Sequence, residues 1–289
     1  MLLQVIISGI TSGAVYALIA LGFVMIYKAA GVMNFAQGQI VTLGAYFAVT
    51  FRDQMEFSYP ASFVCAVFLT GLLGIILERL FFRPLMKAHE SSVIIATVAT
   101  GIILENIVRL VWGSEFYPFK TPFSVTAIDL GFALVTPQEL WILGITTALV
   151  LLLYAYFEWT KHGLSMRAVA INQTASALMG ISVGRVFSAT WAINSALGAA
   201  AGILFAPLLA ITPVMGNVVS TSAFAAAVLG GAKSLPGAIV GGLTLGIIEN
   251  VVGFYISTAL KPLLSFMIII VILMVRPTGL LGRGEIKKV

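Results

Sequence analysis

The 289-residue chain is 60% hydrophobic and only 9% charged, with a mean hydropathy of +1.07 and a formal net charge of +5. Water-soluble domains carry roughly 25% charged residues, so this composition excludes a soluble globular fold and points to an all-α, polytopic transmembrane helical bundle. The basic residues are spread over short loops, which excludes nucleic acid as a partner. The single cysteine, Cys65, excludes an internal disulfide and a cysteine metal centre.

A helix needs about 20 apolar residues to cross roughly 30 Å of hydrocarbon. By that measure helices are predicted near Leu2–Tyr27, Phe35–Phe51, Ala61–Phe82, Ser91–Trp112, Gln138–Phe157, Val186–Ile211, Val218–Gly231, Pro236–Ser257 and Pro262–Val275. The first carries no charge and is too long for the apolar core of a cleavable leader, so it reads as a span. The segment at Val218–Gly231 is short for a full crossing, which makes the count eight or nine. The connection Gly113–Pro137 alternates apolar and polar residues, Phe123, Val125 and Ile128 among them, and predicts a small hairpin over the outer mouth.

With nine alternating segments, Lys28, Arg79, Arg83, Lys87, Lys161, Arg167, Arg185, Lys233, Arg276, Arg283, Lys287 and Lys288 share one side. Arg52, Lys120 and Lys261 take the other, with Asp53, Glu56, Glu115, Asp129 and Glu139. Basic loops stay cytoplasmic, so the N-terminus is expected outside and the C-terminus in the cytoplasm. Residues 1–289 then form one membrane domain, with helical halves at 1–158 and 186–289 joined by a cytoplasmic loop at 159–185. Gly31-Val-Met-Asn-Phe-Ala-Gln-Gly and Thr212-Pro-Val-Met-Gly-Asn each follow a long span and precede a small-residue helix. Their opposite directions suggest an inverted repeat.

The joining loop, Lys161–Arg185, is polar in an otherwise oily chain. Leu164, Ala168, Ile171, Ala175 and Leu178 follow steps of four, three, four and three, along one side of a helix that Ser165 would start and Gly180 would end. Such a helix either docks a soluble partner or lies on lipid headgroups.

Polar residues inside a bilayer are costly and each needs a reason. Asn34, Gln37 and Gln39 lie in a stretch flanked by Gly31 and Gly38, either lining a solute path or forming a loop and helix cap with Asn34 as the cap. Glu105 and Arg109, four apart, pair on one helix face. Glu249 stands in mid-helix beside Asn250 with no opposite charge within reach in the sequence, and either bonds a neighbouring helix or lines the path. Glycines spaced by four (Gly9/Gly13, Gly198/Gly202, Gly237/Gly241, Gly242/Gly246) let helix backbones touch. Gly180-Ile-Ser182-Val-Gly184 matches a serine-hydrolase string but lacks a preceding strand, and Gly230-Gly-Ala-Lys233-Ser234 lacks the first glycine of a phosphate-binding loop. The chain is therefore not read as an enzyme and binds no ATP or other cofactor itself.

Met33-Asn-Phe-Ala-Gln-Gly-Gln-Ile-Val-Thr-Leu-Gly-Ala-Tyr46 resembles a signature of the LivH-type inner-membrane permeases of branched-chain amino acid ABC importers. Gly230-Gly-Ala-Lys-Ser-Leu-Pro-Gly-Ala-Ile-Val-Gly-Gly-Leu resembles a second, and the joining loop resembles their coupling segment through Gly163, Arg167, Ala168, Asn172, Ala175, Met179, Gly180 and Ile181. The chain departs from the pattern at Gln37, Gln39 and Lys233, which opens the substrate to urea, short amides or other amino acids. The resemblance implies a second permease subunit, identical or homologous, two cytoplasmic ATPase subunits that bind ATP, and a periplasmic solute-binding protein. It also makes 163–181 the coupling helix. Asn34, Gln37, Ser222 and Glu249 are the candidates for the translocation pathway. A secondary transporter coupled to protons or sodium is the competing reading; an intramembrane enzyme is disfavoured because no paired catalytic groups share a depth.

Overall fold

A computed structural model describes residues 2–86, 88–119, 121–123, 126–129, 131 and 134–282. Val125, Lys87, Lys120, Arg283, Lys287 and Lys288, used in the expectations above, lie outside them. The helices in chain order are α1 (Leu2–Ala30), α2 (Gln37–Val49), α3 (Tyr59–Leu77), α4 (Glu90–Trp112), α5 (Pro137–Trp159), α6 (Lys161–Ile171), α7 (Gln173–Leu178), α8 (Val183–Leu209), α9 (Met215–Gly230), α10 (Leu235–Tyr255) and α11 (Lys261–Val275). Wide π turns extend α2 to Gln54 and α3 to Phe82, and a single 3-10 turn, Thr258–Leu260, leads into α11.

Among the described residues seven helices are long and apolar enough to cross a membrane: α1, α3 with its π turn, α4, α5, α8, α10, and α11 with its leading turn. The protein is an all-α polytopic membrane bundle. The helices α2 and α9, with 13 and 16 residues, are the short ones.

Lipid is as apolar as leucine, so hydrophobicity alone cannot choose which helices go to the centre; close packing through small residues does. α1 is buried along most of its length and packs most extensively on α10, while α8, rich in alanine and glycine, packs on α3, α2 and α1. Gly13 shows the reason. A Cβ there would stand 2.7 Å from the Gly242 carbonyl oxygen and 2.9 Å from the Leu243 Cα, and Gly9 meets Ile247 in the same way. The four-spaced glycines of α1 and α10 thus serve contacts within one chain. Conversely, α4, α5 and α11 turn bulky Ile, Leu and Phe side chains outward, and Ser265 is the one buried residue of α11.

Gly13→Leu should therefore force α1 and α10 apart. Overpacking of this kind costs about 1–3 kcal/mol, and a lowered melting temperature in detergent, with loss of the monodisperse species, is the expected result. A variant as stable as the parent would mean that α1 and α10 are not pressed together.

The two ends of the bundle have different characters. At one end Ser8 of α1 donates to Glu139 of α5 (2.9 Å), Trp112 Nε1 donates to Thr50 Oγ1 (2.8 Å), and Tyr117 and Ile211 exchange both backbone bonds. The expected hairpin is present here as two-residue strands, β1 (Ile128–Asp129) and β2 (Leu134–Val135), paired antiparallel. Aromatic contacts anchor the chain beside it: Phe119 and Phe123 pack on Tyr59, and Phe123 on Trp141. At the other end Gln173 Nε2 donates to the Ala29 carbonyl (2.9 Å), and Arg83 reaches Gly184 and Ser188 of α8. Leu280 and Leu281 donate to the carbonyls of Leu229 and Gly230 at the same end.

Candidate functional site

The joining loop differs from the expected single helix. Thr160, rather than Ser165, starts α6, its hydroxyl accepting from the Gly163 amide (3.0 Å). Ser165 instead donates back to the Lys161 carbonyl within the helix. The run breaks at Asn172, which ends α6 and caps α7, its side-chain Oδ1 accepting from the Ala175 amide (2.9 Å). A short polar side chain that satisfies the backbone locally competes with continued helix, and a stripe count cannot register that. Gly180 does end α7, at φ +84, where a side chain would be strained.

The apolar stripe survives the break and points away from the bundle. Leu164 is 61% exposed, Ile171 87%, Leu178 84% and Met179 84%, while Gly163, Met166, Val169 and Ser176 face inward. Of the coupling candidates, Arg167, Asn172, Ala175, Met179 and Gly180 are exposed, Ala168 is half-buried and Gly163 is buried. A Cβ on Gly163 would collide with the carbonyls of Tyr156 and Phe157, so this glycine permits the tight α5–α6 corner. Arg167 pairs with Glu158 at 2.9 Å in the open, an arrangement worth about 0–1 kcal/mol.

The four pathway candidates separate into two places. Gln37 and Asn34, both wholly buried, form a hydrogen-bonded knot. Gln37 Oε1 accepts from Asn194 Nδ2 (2.7 Å) and from Asn34 Nδ2 (3.4 Å), and Asn34 Oδ1 accepts from the Ala36 amide (3.1 Å). Asn34 thus closes a turn before α2 instead of capping it; Ala36 holds the cap position without a side-chain bond. Asn34 also reaches a small cavity of about 150 Å³ beside Phe82, Gln173 and Trp191, whereas Gln37 is locked between α2 and α8. Gly31, at φ +77, turns the chain out of α1, but Gly38 packs on the backbone of Gly216 rather than opening to a cavity.

Ser222 and Glu249 lie elsewhere, on the wall of a cavity of about 530 Å³ between α1, α8, α9, α10 and α11. Glu249 Oε1 accepts from Ser222 Oγ (2.8 Å) and Ser265 Oγ (2.5 Å), and the Tyr16 hydroxyl lies against the same pair. Glu249 therefore bonds α9 and α11, as the first alternative has it, and it also lines a cavity. Phe205, Leu208, Val219 and Phe266 give the cavity apolar walls. Ser8, Asn250 and Lys261 carry it into an adjoining space of about 480 Å³ at the hairpin end.

Sequence reasoning missed Tyr16, Asn217, Lys261 and Ser265. Asn217, at the start of α9, joins Gln39 and Glu105: Gln39 Nε2 donates to Glu105 Oε2 (3.0 Å) and to Asn217 Oδ1 (3.1 Å), while Arg109 pairs with Glu105 at 2.6 Å. Ser265 had a signal, being the lone hydroxyl between Leu264 and Phe266 in a lipid-facing helix. Asn217 could have been found through its place in the repeated break before a short helix.

Comparison with known proteins bears on what these features serve. A family model described as the branched-chain amino acid transport system permease component matches residues 5–273. The high-affinity branched-chain amino acid transport system permease protein LivH of Salmonella typhimurium is 34% identical over 99% of this chain and 97% of its own length. The corresponding protein BraD of Pseudomonas aeruginosa is 31% identical over 99% of this chain and 98% of its own. The ribose import permease protein RbsC of Haemophilus influenzae matches more distantly, at 26% over 82% of this chain. With the match running through nearly every helix described above, the chain belongs to the family of branched-chain amino acid transport permease components.

Proposed function

We propose that this chain is the permease subunit of an ABC importer for amino acids, with the branched-chain ones as first substrates. The end-to-end match to the LivH and BraD permeases carries the reading. The assembly pairs the chain with a second permease, identical or homologous, and adds two ATPase subunits and a periplasmic solute-binding protein. ATP is bound and hydrolysed by those partners.

The hairpin end faces outward and the α6–α7 end faces the cytoplasm, since Lys28, Arg79, Arg83, Lys161, Arg167 and Arg185 gather at the latter. Counting α2 and α9 with the seven long helices gives nine membrane segments, organised as an inverted repeat of α1–α3 and α8–α10. Packing favours that pairing: α1 on α10 is matched by α8 on α3, α2 on α8 by α9 on α1, and the Gly216 amide donates to Thr42 Oγ1 (3.0 Å) where the short helices meet. In this scheme α6–α7 couples to the ATPase. Residues 1–158 and 186–289 are the two halves that shift around it. The solute passes the cavity of Ser222 and Glu249, while Asn34 and Gln37 act from beneath as a buried hinge knot.

Proteoliposomes holding the chain with its second permease and ATPases are expected to accumulate L-leucine only with ATP inside and the binding protein outside. Gradient-driven uptake by the chain alone would favour the ion-coupled reading, and ATP-driven uptake of urea without leucine would move the substrate assignment to amides.

A further inference from the structure

The larger cavity has an acidic side chain, Glu249, at its inner end and a basic one, Lys261, at its mouth. At the inner end Glu249, 1% exposed, is held by hydroxyls: Ser222 at 2.8 Å, Ser265 at 2.5 Å, and Tyr16 beside them. Hydroxyls orient a carboxylate but do not neutralise it, and an ionisable group at this depth ordinarily has a partner of opposite charge. The ion pairs of the described residues are Arg83–Glu78, Arg109–Glu105 and Arg167–Glu158, and Glu249 belongs to none. At the mouth stands Lys261, whose ammonium donates, among the described residues, to the neutral Asn250 amide oxygen at 3.3 Å and lines both joined spaces. The third charge on the wall, Glu139, is committed to Ser8 and to the Thr136 amide and hydroxyl that it caps.

We propose that this cavity is a way-station for a zwitterion with an apolar side chain, in which Glu249 receives the ammonium and Lys261 the carboxylate. Phe205, Leu208, Val219 and Phe266 receive the side chain between them. About 530 Å³ lies within the usual 300–1,000 Å³ range of small-molecule sites. The long stem of Lys261 allows its ammonium to leave Asn250 for a carboxylate. The inference rests on the amino-acid reading above and adds charge selectivity inside the permease itself, independent of the secreted receptor.

The test uses the permease–ATPase complex in lipid nanodiscs without the binding protein. Its probes are L-leucine, isopentylamine, which keeps only the cation, and 4-methylpentanoate, which keeps only the anion. Glu249→Gln preserves an acceptor for the serine hydroxyls. It is expected to weaken L-leucine and isopentylamine at least tenfold and leave 4-methylpentanoate unchanged, with partial rescue by Glu249→Asp. Lys261→Gln is expected to weaken L-leucine and 4-methylpentanoate and spare the amine. The inference is overturned if the parent complex binds neither single-charge probe, if each variant loses both probes equally, or if neither variant loses either. A complex that shows the crossed pattern but imports no L-leucine would keep the inference and sink the branched-chain assignment. L-leucine import with the probes blind to both variants would do the reverse.

Discussion

Replacing Ile171, Leu178 and Met179 together by aspartate is expected to abolish retention of the ATPase subunits while leaving the permease folded. These side chains are 84–87% exposed, on a segment outside the long apolar helices. Each would gain about 1.5–3 kcal/mol from full burial against a partner, and at about 1.4 kcal/mol per factor of ten losing even two weakens association by more than about 100-fold. The same side chains contribute little to the permease alone, so its stability should stay within about 0.5 kcal/mol, as for other surface positions. Co-purification of the ATPase from membranes, with melting temperature as control, reads both effects. Full retention of ATPase by the triple variant would return α6–α7 to the other reading, a helix resting on headgroups.

The long helices were legible because bilayer thickness sets a length that runs of Leu, Ile and Val either reach or miss, and α4, α5 and α10 begin within a residue of their predicted starts. Caps and breaks were harder. Nothing in the spacing of Leu164, Ala168 and Ile171 announces that Asn172 will satisfy the Ala175 amide and divide the helix, because that outcome is a local competition between side chain and backbone. The site was legible only in part. Glu249 stood out as a charge in an apolar run, but which hydroxyls surround it depends on α1, α9 and α11 meeting, and Tyr16 and Ser265 lie 233 and 16 residues away in the chain. Gln37 shows the same limit. Its polarity was visible, but its bond to Asn194 across 157 residues was not.

The second large effect is expected at the clamp that joins α3 to α8 directly after the α6–α7 segment. Glu78 is wholly buried and accepts both Nε and Nη2 of Arg83 at 2.9 Å and Ser188 Oγ at 2.8 Å, while Arg83 also donates to the Gly184 carbonyl at 3.0 Å. Phe82 stacks on Trp191 at 4.2 Å beneath it. Removing one partner of a buried pair costs about 3–5 kcal/mol because the other charge stays behind. The Arg83 side chain is 40% exposed, so Arg83→Met belongs at the low end, about 3 kcal/mol, or a melting temperature lower by about 5–10 °C. The double variant Glu78→Gln with Arg83→Met removes the stranded charge and should recover at least half of that loss. Since α8 starts three residues after Gly180, an importer assembled with the single variant should also take up less L-leucine per ATP hydrolysed by its ATPase partners, a deficit the double variant keeps even as its stability returns. Recovery of stability and coupling together would make the clamp a packing device; recovery of stability alone identifies it as the link that passes motion of α7 into the bundle.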